Sequence, residues 1–190
     1  MVQHVRPLPA AGRLSGTVLI PASKSHTIRA LLIAAMADGE SLIINPLDSK
    51  DARSCIETIQ CYGAAVEEIS GAPWGAERAL KVRGVGGAGS KGILHEAPSN
   101  VIDTGNSGTT IYLAAGLAAL SPGHTVFTGD HQIRNRPIGN LLRALRDFGA
   151  EAFSTKGNDC APVVIRGPLK GGSTTIECPT SQFLSSLLLA

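Results

Sequence analysis

Ser23, Lys24 and Ser25 stand at the head of an aliphatic stretch, PASKSHTIRALLIAAMADG over residues 21–39, and Arg29 follows one helical turn after Ser25. A helix start exposes unpaired N–H groups and the positive end of the helix dipole, and both attract an anion. Lys24 adds a point charge, Ser25 either caps the helix or donates to a phosphate oxygen, and Arg29 falls on roughly the same face as Ser25. Two later stretches offer similar chemistry. In GNSGTT, Asn106 or Ser107 serves as a cap and Gly108 lets a ligand approach the backbone closely. Thr180, Ser181 and Gln182 open the last aliphatic run, and in RNRPIG an extended turn would put Arg134 and Arg136 on one side, suited to forked contacts with carboxylate or phosphate. Taken singly, these are also read as ordinary caps and solvated cations; their repetition carries the case.

The elements that must position them come from an internal repeat. SHTIRALLIAAMADGESLIINP, from Ser25, pairs with GTTIYLAAGLAALSPGHTVFTG, from Gly108, at a period of 83 to 84 residues. Each copy gives a hydroxyl-rich start, a helix, a glycine stop and a strand. A second helix follows, in DSKDARSCIETIQCYGAAVEEI and in RNRPIGNLLRALRDFGAEAFS, each ending in Gly-Ala before another strand. Pro137 is tolerated in a first turn, and Leu141, Leu142, Leu145 and Phe148 keep a helical period. ALKVRG at 79–84 and APVVIRG at 161–167 read as further strands, so the unit is βαβαββ. CPTSQFLSSLLLA starts a third copy. Repeats bury their faces against neighbours and three or more units are expected, so the sequence reads as the front part of a longer protein. If the copies pack about a common axis, their helix starts converge on one face, where a hydroxylated, phosphorylated small molecule could bind.

Composition narrows the function classes. The 190 residues are 43% apolar and only 4% aromatic, which calls for an Ala, Leu, Ile and Val core of layered helices and strands. A formal charge of +2, with scattered Lys and Arg, excludes a basic nucleic-acid surface. No apolar leader or long apolar span is visible, so a cytoplasmic protein without membrane contact is expected. Cys55, Cys61, Cys160 and Cys178 match neither a metal knuckle nor a dense disulfide framework and read as reduced structural thiols. His26, His95, His124 and His131 have no metal-ligand spacing. GVGGAG, from Gly84 to Gly89, fits a dinucleotide fingerprint after a strand, but SKGILHEAPSN follows it without a helical period, so a hairpin loop is the better reading.

With these residues assembled, the chain resembles the N-terminal part of the 5-enolpyruvylshikimate-3-phosphate (EPSP) synthase family. Five stretches carry the likeness in family order: PASKSHTIRALLIAAMADG, LDSKDAR, GNSGTT, RNRPIGNLLRAL and TSQFLSSLLLA. The resemblance implies an α/β fold of repeated βαβαββ units about a pseudo-threefold axis, the enolpyruvyl transferase architecture, with helices inside and sheets outside. Residues 1–20 would then be a strand region belonging to a second domain. Residues 21–190 would form an incomplete first domain, with two full units and the start of a third.

The implied reaction transfers the enolpyruvyl group of phosphoenolpyruvate to the 5-hydroxyl of shikimate 3-phosphate, with no metal or organic cofactor and, at full length, a monomeric enzyme. By the same resemblance Lys24 touches both substrates, and Ser25 and Arg29 bind shikimate 3-phosphate. Gly108 and Arg136 contact phosphoenolpyruvate. Within the run Thr180, Ser181 and Gln182, Ser181 binds phosphate and Gln182 reaches both substrates. Lys24, Arg136 and Gln182 are the candidate catalytic groups. Thr180 stands where serine is usual, and Tyr112 where many members have arginine, which removes a positive charge near phosphoenolpyruvate. Gly108 implies sensitivity to glyphosate. The rival readings are the sister transferase acting on UDP-N-acetylglucosamine, which usually carries Lys-Asn at the first helix start, and a non-catalytic binding remnant.

Overall fold

The computed structural model describes residues 15–18, 20–71, 76–86 and 97–190. The first repeat contains α1 (Lys24–Met36), β1 (Glu40–Ile44), α2 (Lys50–Cys61), β2 (Ala65–Ser70) and β3 (Arg78–Arg83). The second contains β4 (Ile102–Asp103), α3 (Gly108–Ala118), β5 (Thr125–Thr128), α4 (Gly139–Asp147), β6 (Glu151–Ser154) and β7 (Val163–Arg166), and α5 (Ser181–Leu189) opens the third. In both repeats the last strand inserts between the two that precede it in sequence. The sheet orders are β1-β3-β2 and β4-β5-β7-β6, all antiparallel except the short parallel β4–β5 pair.

The second copy therefore has the βαβαββ order expected of it. The first shows αβαββ among the described residues, since 15–18 and 20 form no strand, and 1–14 lie outside those described. The loop of the GVGGAG hairpin and His95 also fall outside them, within residues 87–96.

The two Gly-Ala stops are built alike. Gly63 (φ 93°) and Gly149 (φ 91°) adopt the left-handed conformation that glycine takes without steric cost. Each is followed by an alanine N–H reaching back to close the helix, Ala64 to the Ile59 carbonyl (3.1 Å) and Ala150 to that of Leu145 (3.0 Å). These paired bonds turn the chain from helix into strand at equivalent places.

Helices form the interior. Every residue of α3 is buried, whereas α1 buries one face through Ile28, Leu31, Leu32, Ala34 and Ala35 and leaves Ile33 half-exposed. The small residues of α3, GTTIYLAAGLA, let neighbouring helices close on it. At Gly116 the backbone of α5 comes so near that an added Cβ would lie 2.3 Å from the Ser186 carbonyl oxygen, and the Gly116 N–H donates to Ser186 Oγ at 3.0 Å. The sheets lie outside, with one face against the helices. Among the described residues the four cysteines are free thiols, and burial pushes the Cys55 thiol up to about 12. No helix of the described residues is long and apolar enough to cross a membrane.

Candidate functional site: a polar cavity at three helix starts

Three hydroxyl residues cap the three first helices of the repeats. Ser23 Oγ accepts from the His26 N–H (3.4 Å) at α1, Ser107 Oγ from the Thr110 N–H (3.3 Å) at α3, and Thr180 Oγ1 from the Gln182 N–H (3.4 Å) at α5. The cap of α1 is thus Ser23 and not Ser25, because Ser25 already lies within the first turn. The capped ends converge on one strongly polar cavity of about 310 Å³, lined by Lys24, Asp51, Asn106, Gly108, Thr109, Arg136 and Gln182.

Each wall has a local cause. Lys24 is the first residue of α1, and its ammonium meets Asp51 Oδ2 at 2.7 Å. Asp51 sits in the first turn of α2, where the helix dipole favours a carboxylate. The Lys24 side chain remains half-exposed, so its charge is available to a ligand. Arg136 donates to Asn106 Oδ1 (3.2 Å) and crosses over the start of α3. Its Nη1 lies 2.8 Å from where a Cβ on Gly108 would stand, so glycine leaves the guanidinium its place. Gln182 Nε2 donates to Thr109 Oγ1 (2.9 Å), joining α5 to α3 across the cavity.

Beside the cavity runs a second polar seam between α1 and α5. Arg29 donates to the Ser25 carbonyl (3.2 Å) and to Ser185 Oγ (3.1 Å), and Ser185 donates to the Ser181 carbonyl (3.0 Å). Ser25, Arg29 and Ser181 therefore cluster together without lining the cavity, and Thr180 serves as a cap.

Arg134 departs from expectation. The chain makes one turn of 3₁₀ helix over Ile133–Asn135, in which residues two apart no longer share a side, and Arg134 donates to the Gly129 carbonyl (2.5 Å). Arg136 alone of the pair reaches the cavity. The turn is held by Asp130, whose carboxylate accepts from the Gln132 and Ile133 N–H groups (2.8 and 3.0 Å). The bond from Ile133 foremost holds its pKa below the ordinary carboxylate range against the opposing effect of burial, with the Gln132 bond and nearby Arg136 acting in the same direction as Ile133.

Tyr112 lies next to the cavity without lining it, with its ring edge-on to Phe183 and its acidity weakened by burial. Sequence reasoning missed Asp51 and Thr109, and took Asn106 only as a possible cap. The signal for Asp51 was present, an acid two residues after the Ser49 cap in LDSKDAR.

Two cations, one of them paired with Asp51, together with three helix ends, two amides and a hydroxyl facing one small volume make an anion site that also reads hydroxyl groups. A shallower concavity of about 260 Å³ on the first sheet is lined by charges that neutralise one another, Glu40 against Lys81 and Arg83, and offers no comparable binding chemistry.

The sequence profile of EPSP synthase (3-phosphoshikimate 1-carboxyvinyltransferase) matches residues 8–190. The chain belongs to the EPSP synthase family. It is 49% identical over 177 residues to the 3-phosphoshikimate 1-carboxyvinyltransferase of Acetivibrio thermocellus, covering 93% of this chain and 39% of that one. The enzyme of that name from Methanothrix thermoacetophila is 48% identical over 178 residues, again 93% of this chain and 39% of the relative. A solved EPSP synthase from Acinetobacter baumannii superposes with a TM-score of 0.77 at 28% identity, over 92% of this chain and 37% of that structure. The EPSP synthase fold expected from the sequence is thus the fold found. The chain spans about 39% of the length of these curated relatives.

Proposed function

We propose that this chain forms one wall of an enolpyruvyl transfer site, in which the 5-hydroxyl of shikimate 3-phosphate adds to C2 of protonated phosphoenolpyruvate and the tetrahedral adduct then expels phosphate. The observation that carries the reading is the convergence of Lys24, Arg136 and Gln182 with three capped helix starts on one polar cavity. Lys24 neutralises charge shared by the two substrates while Asp51 holds its ammonium in place. Arg136 presents a fork to the carboxylate or phosphate of phosphoenolpyruvate over the open backbone of Gly108, and Gln182 lies within reach of both substrates. Ser25, Arg29 and Ser181, along the α1–α5 seam, are assigned to the phosphate of shikimate 3-phosphate.

Catalysis by such a wall is positioning and electrostatic: fixed cations meet the negative charge that builds on the leaving phosphate as the tetrahedral adduct loses it and a methyl proton to give the enol ether, without reorganisation at the moment of reaction. The proton-transferring groups are assigned to a second domain facing the cavity, to which residues 1–20 would also belong, with 21–190 as the first domain. The protein is taken to work in the cytoplasm as a monomer.

Phosphate release by the product of the complete gene tests this, with phosphoenolpyruvate and either shikimate 3-phosphate or UDP-N-acetylglucosamine as acceptor, and the 190-residue chain alongside. Release with shikimate 3-phosphate alone, and none from the chain by itself, is the expected result. Silence with both acceptors sinks the transfer reading and leaves an anion-binding protein, whereas turnover by the isolated chain refutes the assignment of the proton-transferring groups elsewhere.

A further inference from the structure

We infer that Tyr112 is a positioning residue for the anion site: its phenol ties the Arg136–Pro137 turn and the first turn of α5 to α3, so that Arg136 and Gln182 face the same bound anion. The inference rests on the reading of the cavity given above. Tyr112 is one helical turn beyond Gly108 on α3 and therefore lies beneath the cavity floor, on the face Gly108 presents. It is the one large polar side chain in a helix otherwise made of Gly, Ala, Leu, Ile and Thr.

Three contacts radiate from it. The ring meets Phe183 edge to face, with centroids 4.9 Å apart at 86°, and Phe183 is the buried neighbour of Gln182. The hydroxyl donates to the carbonyl of Pro137, the residue after Arg136, at 3.4 Å. The ring carbon Cε2 lies 3.7 Å from the Cβ position of Gly108, the same point that Arg136 Nη1 approaches to 2.8 Å. Ring and guanidinium thus border one small space.

The chemistry of the turn explains why this tie matters. Pro137 has no N–H of its own; the flanking N–H groups of Arg136 and Ile138 donate to the Ile133 and Asp159 carbonyls (3.1 and 2.8 Å), and the Tyr112 hydroxyl adds a hold on the Pro137 carbonyl between them. The Arg136 side chain reaches the cavity through an exposed contact to Asn106, which leaves its aim dependent on where the backbone of the turn is held. Burial weakens the acidity of the phenol more than nearby Arg136 strengthens it, so the hydroxyl remains a donor at neutral pH.

The test uses the complete gene product, unsubstituted, with Tyr112→Phe, with Arg136→Gln, and with both. Phenylalanine keeps the ring against Phe183, so the fold and Tm are expected to be unchanged. Because the bond to Pro137 is long, the KM for phosphoenolpyruvate should rise about 3- to 5-fold, near the low end of what one hydrogen bond contributes. Neither kcat nor the KM for shikimate 3-phosphate should move. In the Arg136→Gln background the second substitution should add nothing further, because residues that act through one another are not additive. Arg136→Lys takes the place of Arg136→Gln if the latter leaves too little activity to measure.

An unchanged KM for phosphoenolpyruvate overturns the inference. So does an equal factor in both backgrounds, or a lowered Tm with both KM values raised together, which is the mark of a purely structural ring. If the unsubstituted protein releases no phosphate, the transfer reading fails by itself. Calorimetric titration of the same four proteins with phosphoenolpyruvate and with inorganic phosphate then decides the role of Tyr112, and absence of binding by the unsubstituted protein overturns it.

Discussion

The two repeats bring their charges to the cavity from different points of one frame. In the first, the residue after the cap of the leading helix is Lys24, and the first turn of the second helix supplies an acid, Asp51. In the second, the residue after the cap is Gly108, and the approach to the second helix supplies a cation, Arg136. Each repeat thus gives the cavity one positive charge from a different place. A lysine sits where the helix end leaves room for its long arm, and a glycine sits where an arginine must cross the helix end from outside. The frame fixes where a side chain can enter the cavity and leaves open which repeat position carries the charge.

The largest expected effect comes from deleting the first repeat's cation. Lys24→Met should lower kcat/KM for phosphoenolpyruvate by about 100-fold or more in the complete gene product, because it removes a charge-stabilising group and leaves Asp51 without its partner. Adding Asp51→Asn should restore part of the loss. An Arg136→Gln protein that loses more than Lys24→Met would show that the second repeat, not the first, supplies the dominant charge.

A stability difference between the repeats comes next. The ninth residue after the cap is the buried Leu32 in α1 and Gly116 in α3, where the α5 backbone passes. Gly116→Ala pushes against that backbone and should cost roughly 1–3 kcal/mol, read as a lower urea midpoint. Gly108→Ala in the same helix crowds the end of the Arg136 side chain and touches the Tyr112 ring only at an ordinary 3.7 Å. It should leave the midpoint in place and weaken phosphoenolpyruvate binding about tenfold or more, on the order of one hydrogen bond to a charged group. Equal loss of stability in the two variants would erase the distinction between a glycine kept for packing and one kept for the cavity.

The smallest effect concerns the acids ahead of each second helix. Asp48 is held below its ordinary 3.8 first by its hydrogen bond to Arg53, and Asp130 below the same value first by the backbone N–H of Ile133. A depressed carboxylate contributes stability that is present above 3.8 and lost as pH falls through the lower folded value. Both should therefore titrate below 3.8 by NMR. Added salt should return Asp48 toward that value and leave Asp130 nearly in place, because the ion pair is exposed and screened while the backbone bonds are local. A parallel response would mean that Asp130, too, is governed by neighbouring cations, with consequences for how firmly the turn holds Arg136.

Much of the frame was legible because the repeat made each element predict its counterpart: GAAVEEI and GAEAFS mark the same glycine stop, and TIRALL and TIYLAA the same helix. The cavity was legible where its residues begin helices, as Lys24, Gly108 and Gln182 do. What escaped was set by local backbone geometry and by pairing across elements. Ser23 displaced Ser25 as the cap because the helix starts one residue earlier than the second hydroxyl, and a 3₁₀ turn separated Arg134 from Arg136. Asp51 looked like an ordinary first-turn acid until the packing of α1 on α2 put it against Lys24. The seam through Arg29 and Ser185 joins residues 156 apart, and spacing carries no trace of such a contact.

The enclosure of α3 also bears on how the protein is made. Residues 108–118 are covered on one side by the first repeat and on another by α5, which begins at Ser181. At about 5–20 residues per second on the ribosome, roughly 4 to 15 s separate the synthesis of the helix from that of its final cover. During that interval the nascent chain presents an aliphatic surface around Gly116 and Leu117, a natural target for a chaperone at the exit tunnel.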